Sequence, residues 1–284
     1  MKDKVCLITG SNSGIGYATT SALAEMDATV VMAVRNRKRG EIARSNIVEK
    51  TQNKKLEIMI CDVSSKYSIS AFVKEFSENY NRLDVLINNA GAVFSKRQTT
   101  EDGFERSFAV NYLGPFQLTY KLFPILKSSS PSRVINVSSG MHKTGKINFE
   151  DLQRNQNYNE MQVYADTKLM VTTITYEWAQ RLEGTGVSVN VVEPGFVATN
   201  LGRNSGSIIS RLSFGLMRFI QVSPEKGAET SVYMASSNEV EGVTGKCYAK
   251  LKETTTSKMS YDTATQKRLW NTTLKLLDIN NAII

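Results

Sequence analysis

Tyr164-Ala165-Asp166-Thr167-Lys168 sets a phenol and an ammonium four residues apart, and within a helix that spacing places both on one face. A free phenol, with a pKa of about 10, is a poor acid–base group near neutrality. A neighbouring ammonium favours the phenolate and is expected to bring that value down toward working pH. Tyr164 is then suited to give a proton to a carbonyl oxygen or to take one from an alcohol. Ser139, just past an apolar run, is placed to hydrogen-bond the same oxygen and share its developing charge. The other reading of Ser138 and Ser139 is a turn or helix cap, common for serine. A Tyr-x-x-x-Lys spacing recurs by chance in many helices, so its weight depends on what stands in register with it.

Two upstream segments supply that register. Thr9-Gly10-Ser11-Asn12-Ser13-Gly14-Ile15-Gly16 lies between the first apolar run and the first amphipathic one. Glycine there permits a tight turn and a close approach of backbone to a pyrophosphate, while a helix N-terminus offers free N–H groups to the anion. The spacing is wider than G-x-G-x-x-G, so taken alone it also fits a structural turn. Asn88-Asn89-Ala90-Gly91 ends a later strand, where small residues let a cofactor lie against backbone. Asp62, with Val63 beside it, follows the third strand and is placed to accept from an adenine amino group. At the end of the second strand an NAD binder presents an acid to the ribose hydroxyls. This chain has Arg35 there and Arg39 one turn on. Guanidinium groups fit a 2′-phosphate and leave NAD unmatched, so NADP(H) is the expected cofactor; otherwise these cations are a solvated helix start.

The elements that must position these residues alternate. Strands are expected at 5–9, 29–34, 56–61, 83–87, 133–137, 187–192 and 246–249, and helices at 15–26, 38–50, 66–79, 105–127 and 160–182. Unbroken apolar strands alternating with helices predict an α/β fold: a single-domain, Rossmann-type, doubly wound parallel sheet of about seven strands with helices on both faces. No repeat, low-complexity tract or linker divides the 284 residues. The stretch 200–222 breaks the alternation by interleaving Ile208, Leu212, Phe214, Leu216 and Phe219 with Arg203, Arg211 and Arg218. It is expected to be a substrate lid; a surface helix and a peripheral membrane contact are its alternatives.

Composition narrows the functions further. With 41% hydrophobic and 22% charged residues the chain can bury a substantial core, and no run reaches the ~18 apolar residues of a membrane span. A core strand at the very start leaves no room for a secretory leader, so a cytoplasmic location is expected. The one histidine, His142, argues against His-based metal sites and a Ser-His-Asp hydrolase. It is read as a loop residue near the cleft. Cys6, Cys61 and Cys247 have no Cys-x-x-Cys spacing and are read as structural thiols. The net charge of +8 is concentrated in part in Arg35-Asn36-Arg37-Lys38-Arg39, with no nucleic-acid-binding motif beside it, so no nucleic acid is expected as a partner.

Taken in order, Thr9–Gly16, Asn88–Gly91, Asn111, Ser139, Tyr164–Lys168 and Pro194-Gly195-Phe196-Val197-Ala198-Thr199 resemble the classical short-chain dehydrogenase/reductase family over essentially the whole chain. The resemblance implies a catalytic tetrad of Asn111, Ser139, Tyr164 and Lys168, with Lys168 also holding the nicotinamide ribose and the asparagine supporting it through a water relay. It also implies that the segment after Pro194 closes on the nicotinamide, bringing Val197 and Thr199 to its carboxamide. Within the family the chain is most like the retinol dehydrogenase group, on Thr100-Glu101-Asp102-Gly103-Phe104-Glu105, Val110-Asn111-Tyr112-Leu113-Gly114 and Lys267-Arg268-Leu269-Trp270-Asn271. Glu193 stands where that group commonly has histidine. The expected activity is NADP(H)-dependent interconversion of an aldehyde or ketone and an alcohol on a small hydrophobic substrate such as a retinoid, steroid or lipid aldehyde. The alternative is a non-catalytic NADP(H)-sensing or membrane-surface protein on the same fold. The long helices at 105–127 and 160–182 are where the family pairs its subunits, so a homo-oligomer is expected.

Overall fold

The structure is a computed structural model that describes residues 1–195 and 222–280. Val197, Thr199 and nearly all of the 200–222 segment lie outside the described residues. The strands are β1 (Val5–Thr9), β2 (Thr29–Val34), β3 (Leu56–Ile60), β4 (Val85–Asn88), β5 (Ser132–Val137), β6 (Val187–Glu193), β7 (Cys247–Ala249) and β8 (Lys252–Glu253). They form one sheet in the order β3-β2-β1-β4-β5-β6-β7-β8, parallel from β1 to β7, with β8 antiparallel to β7.

The sheet is buried on both sides because its strands carry apolar residues at successive positions rather than alternate ones. Leu7, Val31 and Ala33 join a core with residues of the helices on one face; Cys6, Ile8, Val30 and Met32 join a second core on the other. The helices are α1 (Gly14–Glu25), α2 (Arg37–Thr51), α3 (Lys66–Asn79), α4 (Arg106–Phe108), α5 (Gly114–Ser128), α6 (Glu160–Arg181), α7 (Pro224–Ser236) and α8 (Thr263–Leu276). Side chains of Asn36, Ser65 and Asn159 accept from the first-turn N–H groups of α2, α3 and α6, which fixes where those helices begin.

Two features add to or depart from the sequence expectation. The helix expected at 105–127 is broken: α4 runs into a π-turn, Ala109–Leu113, before α5 begins. The backbone at Gly114 lies so close to β3's outgoing loop that a Cβ would stand 2.1 Å from the Val63 carbonyl oxygen. The sheet has eight strands rather than about seven, because the chain reverses after β7 through Lys250 and Leu251, both at positive φ (51° and 64°). Such a two-residue loop matches the right-handed twist of a hairpin, but its usual Asn-Gly signature is missing here.

The long helix α6 is covered by the chain itself. From Val163 to Ala179 α6 is buried throughout, and α8 packs across it. The Trp270 ring centroid lies 5.1 Å from Phe116 and 4.7 Å from Trp178, while the Arg181 guanidinium caps it at 4.2 Å.

Candidate active site

The sheet order reverses between β1 and β4, and their carboxyl ends open into a cleft of about 380 Å³. Every expected site residue among the described residues lines this cleft except Ser11 and Asn111, which are buried behind it.

At one end the chain turns from β1 into α1 with Gly10 and Gly14 at φ of +64° and +55°, a conformation that favours glycine. Gly16 lies tight against that turn: a Cβ there would sit 2.3 Å from the Gly10 carbonyl oxygen. Asn89 holds the turn from below, its Nδ2 donating to the Thr9 carbonyl at 2.8 Å, while the N–H groups of Asn89 and Ala90 donate to Thr9 Oγ1 at 3.0 Å. This asparagine therefore builds the cradle through its side chain. Ser13 gives α1 no side-chain cap, and the first turn contains no acid. Its N–H groups face the cleft beside Ser11 Oγ, a buried hydroxyl without a hydrogen-bond partner. A cradle of unsatisfied donors too tight for side chains fits the pyrophosphate of a nicotinamide dinucleotide.

The lip of that cradle is basic. Arg35 follows β2 and Arg39 lies in the first turn of α2; both are exposed, and neither guanidinium has a polar partner among the described residues. Asp62, next along the wall, accepts from Ser64 N (2.9 Å) and Ser64 Oγ (2.6 Å) through Oδ1 alone. Val63 forms the apolar floor beside it.

The other end holds the titratable group. Two adjacent serines follow β5, and both border the cleft. Ser138 is buried and bonded to Thr172 Oγ1 (3.0 Å) and the Lys168 carbonyl (3.1 Å), while Ser139 lines the cleft and also caps a short turn through Met141 N. Lys168 Nζ donates to the Val137 carbonyl at 2.8 Å and lies 5.6 Å from the Tyr164 ring centroid. Asn111 sits in the π-turn, its amide paired to Ala92 N (2.8 Å) and Ala92 O (2.9 Å) and donating to Thr167 Oγ1 at 3.2 Å. It thus ties the segment after β4, at Ala92, to α6 between the tyrosine and the lysine.

The direction of the Tyr164 pKa shift differs from the sequence expectation. Burial pushes the Tyr164 phenol up to about 12, with a hydrogen bond from Ser139 pulling the other way, rather than down toward neutrality. Burial also pushes the Lys168 ammonium down to about 8. Desolvation outweighs the attraction that the four-residue spacing promised, because both side chains are at least nine-tenths buried. At neutral pH Tyr164 is therefore a protonated donor with a cation close by.

Two polar residues meet in an unexpected contact behind the site. His142 lies near the cleft as read, on the turn that follows Ser139, but it is fully buried, and Glu193, at the end of β6, is 3.4 Å from it. They come together from positions far apart in the chain, so no local spacing announces them. Among the described residues no group of His, Cys, Asp or Glu is arranged to hold a metal, and no helix is long and apolar enough to cross a membrane.

This fold and cleft define a dinucleotide-using oxidoreductase, and the profile of the short chain dehydrogenase family matches residues 4–208. The chain belongs to that family. It is 42% identical over 283 residues to mouse (Mus musculus) Retinol dehydrogenase 14, covering 95% of this chain and 85% of that protein. It is 41% identical over 276 residues to Retinol dehydrogenase 12 of Homo sapiens, covering 97% and 87%. Among solved structures it resembles an uncharacterized protein from Mycobacterium Paratuberculosis, with a TM-score of 0.78, 30% identity and coverage of 98% of this chain and 94% of that one.

Proposed function

We propose that this protein is an NADP(H)-dependent oxidoreductase interconverting an aldehyde or ketone and the corresponding alcohol on a hydrophobic molecule. The observation that carries this reading is the meeting of Ser139, Tyr164 and Lys168 at the end of the cleft where Val93, Phe94, Met141 and Met161 form an apolar wall. A bound nicotinamide cofactor supplies the hydride. The chain supplies the proton: Tyr164 holds it until the substrate oxygen gains negative charge, then releases it to that oxygen. The Ser139 hydroxyl donates to the same oxygen, and the Lys168 ammonium, held on the Val137 carbonyl, stabilises the phenolate left behind. Arg35 and Arg39 favour a 2′-phosphate, because the end of β2 offers no acid to ribose hydroxyls.

The apolar wall and the relatives named as retinol dehydrogenases together favour a retinoid or a similarly long apolar carbonyl compound. The test is consumption of NADPH against retinal, a steroid ketone, nonanal and benzaldehyde. Turnover that favours the long apolar substrates supports the reading. Turnover of benzaldehyde alone, or none while NADPH binds, overturns it.

A further inference from the structure

Behind the cleft serine lies a buried cluster that the reaction as written does not use. Ser139 opens the short 3-10 turn Gly140–Thr144, and His142 on that turn is completely buried. The Ser139 carbonyl oxygen accepts from the His142 backbone N–H at 2.9 Å and lies 2.8 Å from His142 Nδ1. On the far side of the ring, Nε2 lies 3.2 Å from the backbone N–H of Ser257. A backbone N–H can only donate, so Nε2 is the acceptor and the ring proton sits on Nδ1, aimed at Ser139. Burial holds the imidazole below its ordinary pKa, which agrees with this neutral tautomer.

A second residue backs the ring. Glu193 Oε1 lies 3.4 Å from His142 Nδ1 and 3.7 Å from Cys247 Sγ, and Oε2 faces Gly140, 3.5 Å from where a Cβ would stand. Glu193 is itself nine-tenths buried. The cluster thus joins the turn that carries Ser139 to the ends of β6 and β7 and to the C-terminal segment at Ser257.

We propose that His142, backed by Glu193, is a positioning residue that grips the Ser139 carbonyl and so aims the Ser139 hydroxyl at the reacting oxygen. This rests on the role given to Ser139 above. Both lone pairs of that carbonyl are taken by one residue, so the serine's extended backbone (φ −161°, ψ 149°) cannot rotate without breaking a buried bond. The imidazole is the link through which the C-terminal segment holds the site.

The test uses amide replacements that keep one bond at a time, assayed with retinal and nonanal as probes. His142→Asn places an amide N–H near the Nδ1 position and keeps the bond to Ser139; His142→Gln reaches instead toward Ser257. The expected kcat is within about threefold of wild type for Asn and down about tenfold for Gln, with KM for NADPH unchanged, as expected for a displaced rather than missing group. Glu193→Ala should share the loss and Glu193→Gln restore it. Equal kcat for His142→Asn and His142→Gln, or a rise in KM for NADPH in place of the fall in kcat, would overturn the proposal even if His142→Ala fails to fold. Ser139→Ala separates the two levels: wild-type kcat in that variant sinks the role of the serine itself, and the positioning role with it. A loss there with no loss in the histidine variants sinks the positioning role alone.

Discussion

If Arg35 and Arg39 read a 2′-phosphate as proposed, removing the two guanidinium groups at the lip of the cleft should abolish discrimination in favour of NADPH. Arg35 and Arg39 stand exposed with no partner among the described residues, so nothing but solvent competes for them. A hydrogen bond to a charged group is worth about 1.5–3 kcal/mol, and at an exposed site the lower end applies. At about 1.4 kcal/mol per factor of ten, losing one arginine weakens NADPH binding about tenfold. Losing both weakens it by about 30- to 100-fold, short of the full product because the two groups would meet one phosphate. NADH binding should be unchanged within about twofold, since no acid is being restored. Fluorescence titration of Arg35→Ala, Arg39→Ala and the double variant with each nucleotide measures this directly. Added salt should erode NADPH binding in the wild type more than in the double variant. A double variant that keeps its NADPH:NADH affinity ratio within about threefold would refute the assignment of these residues.

Three further expectations follow from the site and its supports. Lys168 is held down to about 8, so its cation is present below that pH and lost above it. Carbonyl reduction should therefore be flat from about pH 6 to 7.5 and fall through pH 8, a limb that Lys168→Met abolishes along with most of the rate; a flat profile to pH 9.5 contradicts the role of the ammonium. Gly16→Ala would set a methyl group 2.3 Å from the Gly10 carbonyl oxygen, so isothermal titration should show NADPH binding weakened by at least about tenfold as the turn opens. Trp270→Ala removes the ring between Phe116, Trp178 and Arg181 and should cost about 3–5 kcal/mol in urea unfolding, loosening α8 before the sheet; a change under about 1 kcal/mol would mean that α8 is not part of the core.

What the sequence made legible is what its neighbours in the chain decide. Gly10, Gly14 and Gly16 occupy one turn, and Tyr164 and Lys168 share one helix face, so spacing alone placed them. The adjacent serines are ambiguous in the sequence because only the fold ties the Ser138 hydroxyl to Thr172 and sets the Ser139 hydroxyl against Tyr164. The direction of the Tyr164 pKa shift is not legible in the sequence, because the spacing reveals the lysine but not the burial that outweighs it. The π-turn at Asn111 is followed by the close approach of Gly114 to Val63, a contact between distant segments that no local spacing announces. The β7–β8 hairpin was hidden because Lys250 and Leu251 adopt positive φ without the glycine or asparagine that would mark it. His142, Glu193 and Ser257 meet from three separate regions, and their pattern exists only in the folded chain.

The central claim is that Tyr164 delivers the proton, and Tyr164→Phe tests it most directly. The substitution removes one buried hydroxyl and leaves the glycine turn and the basic lip intact, so NADPH should bind as in the wild type. Single-turnover consumption of NADPH with retinal should then slow by about 10²- to 10⁴-fold, the span of a lost general acid. Wild-type rates in Tyr164→Phe, with NADPH bound and retinal consumed, would contradict the account.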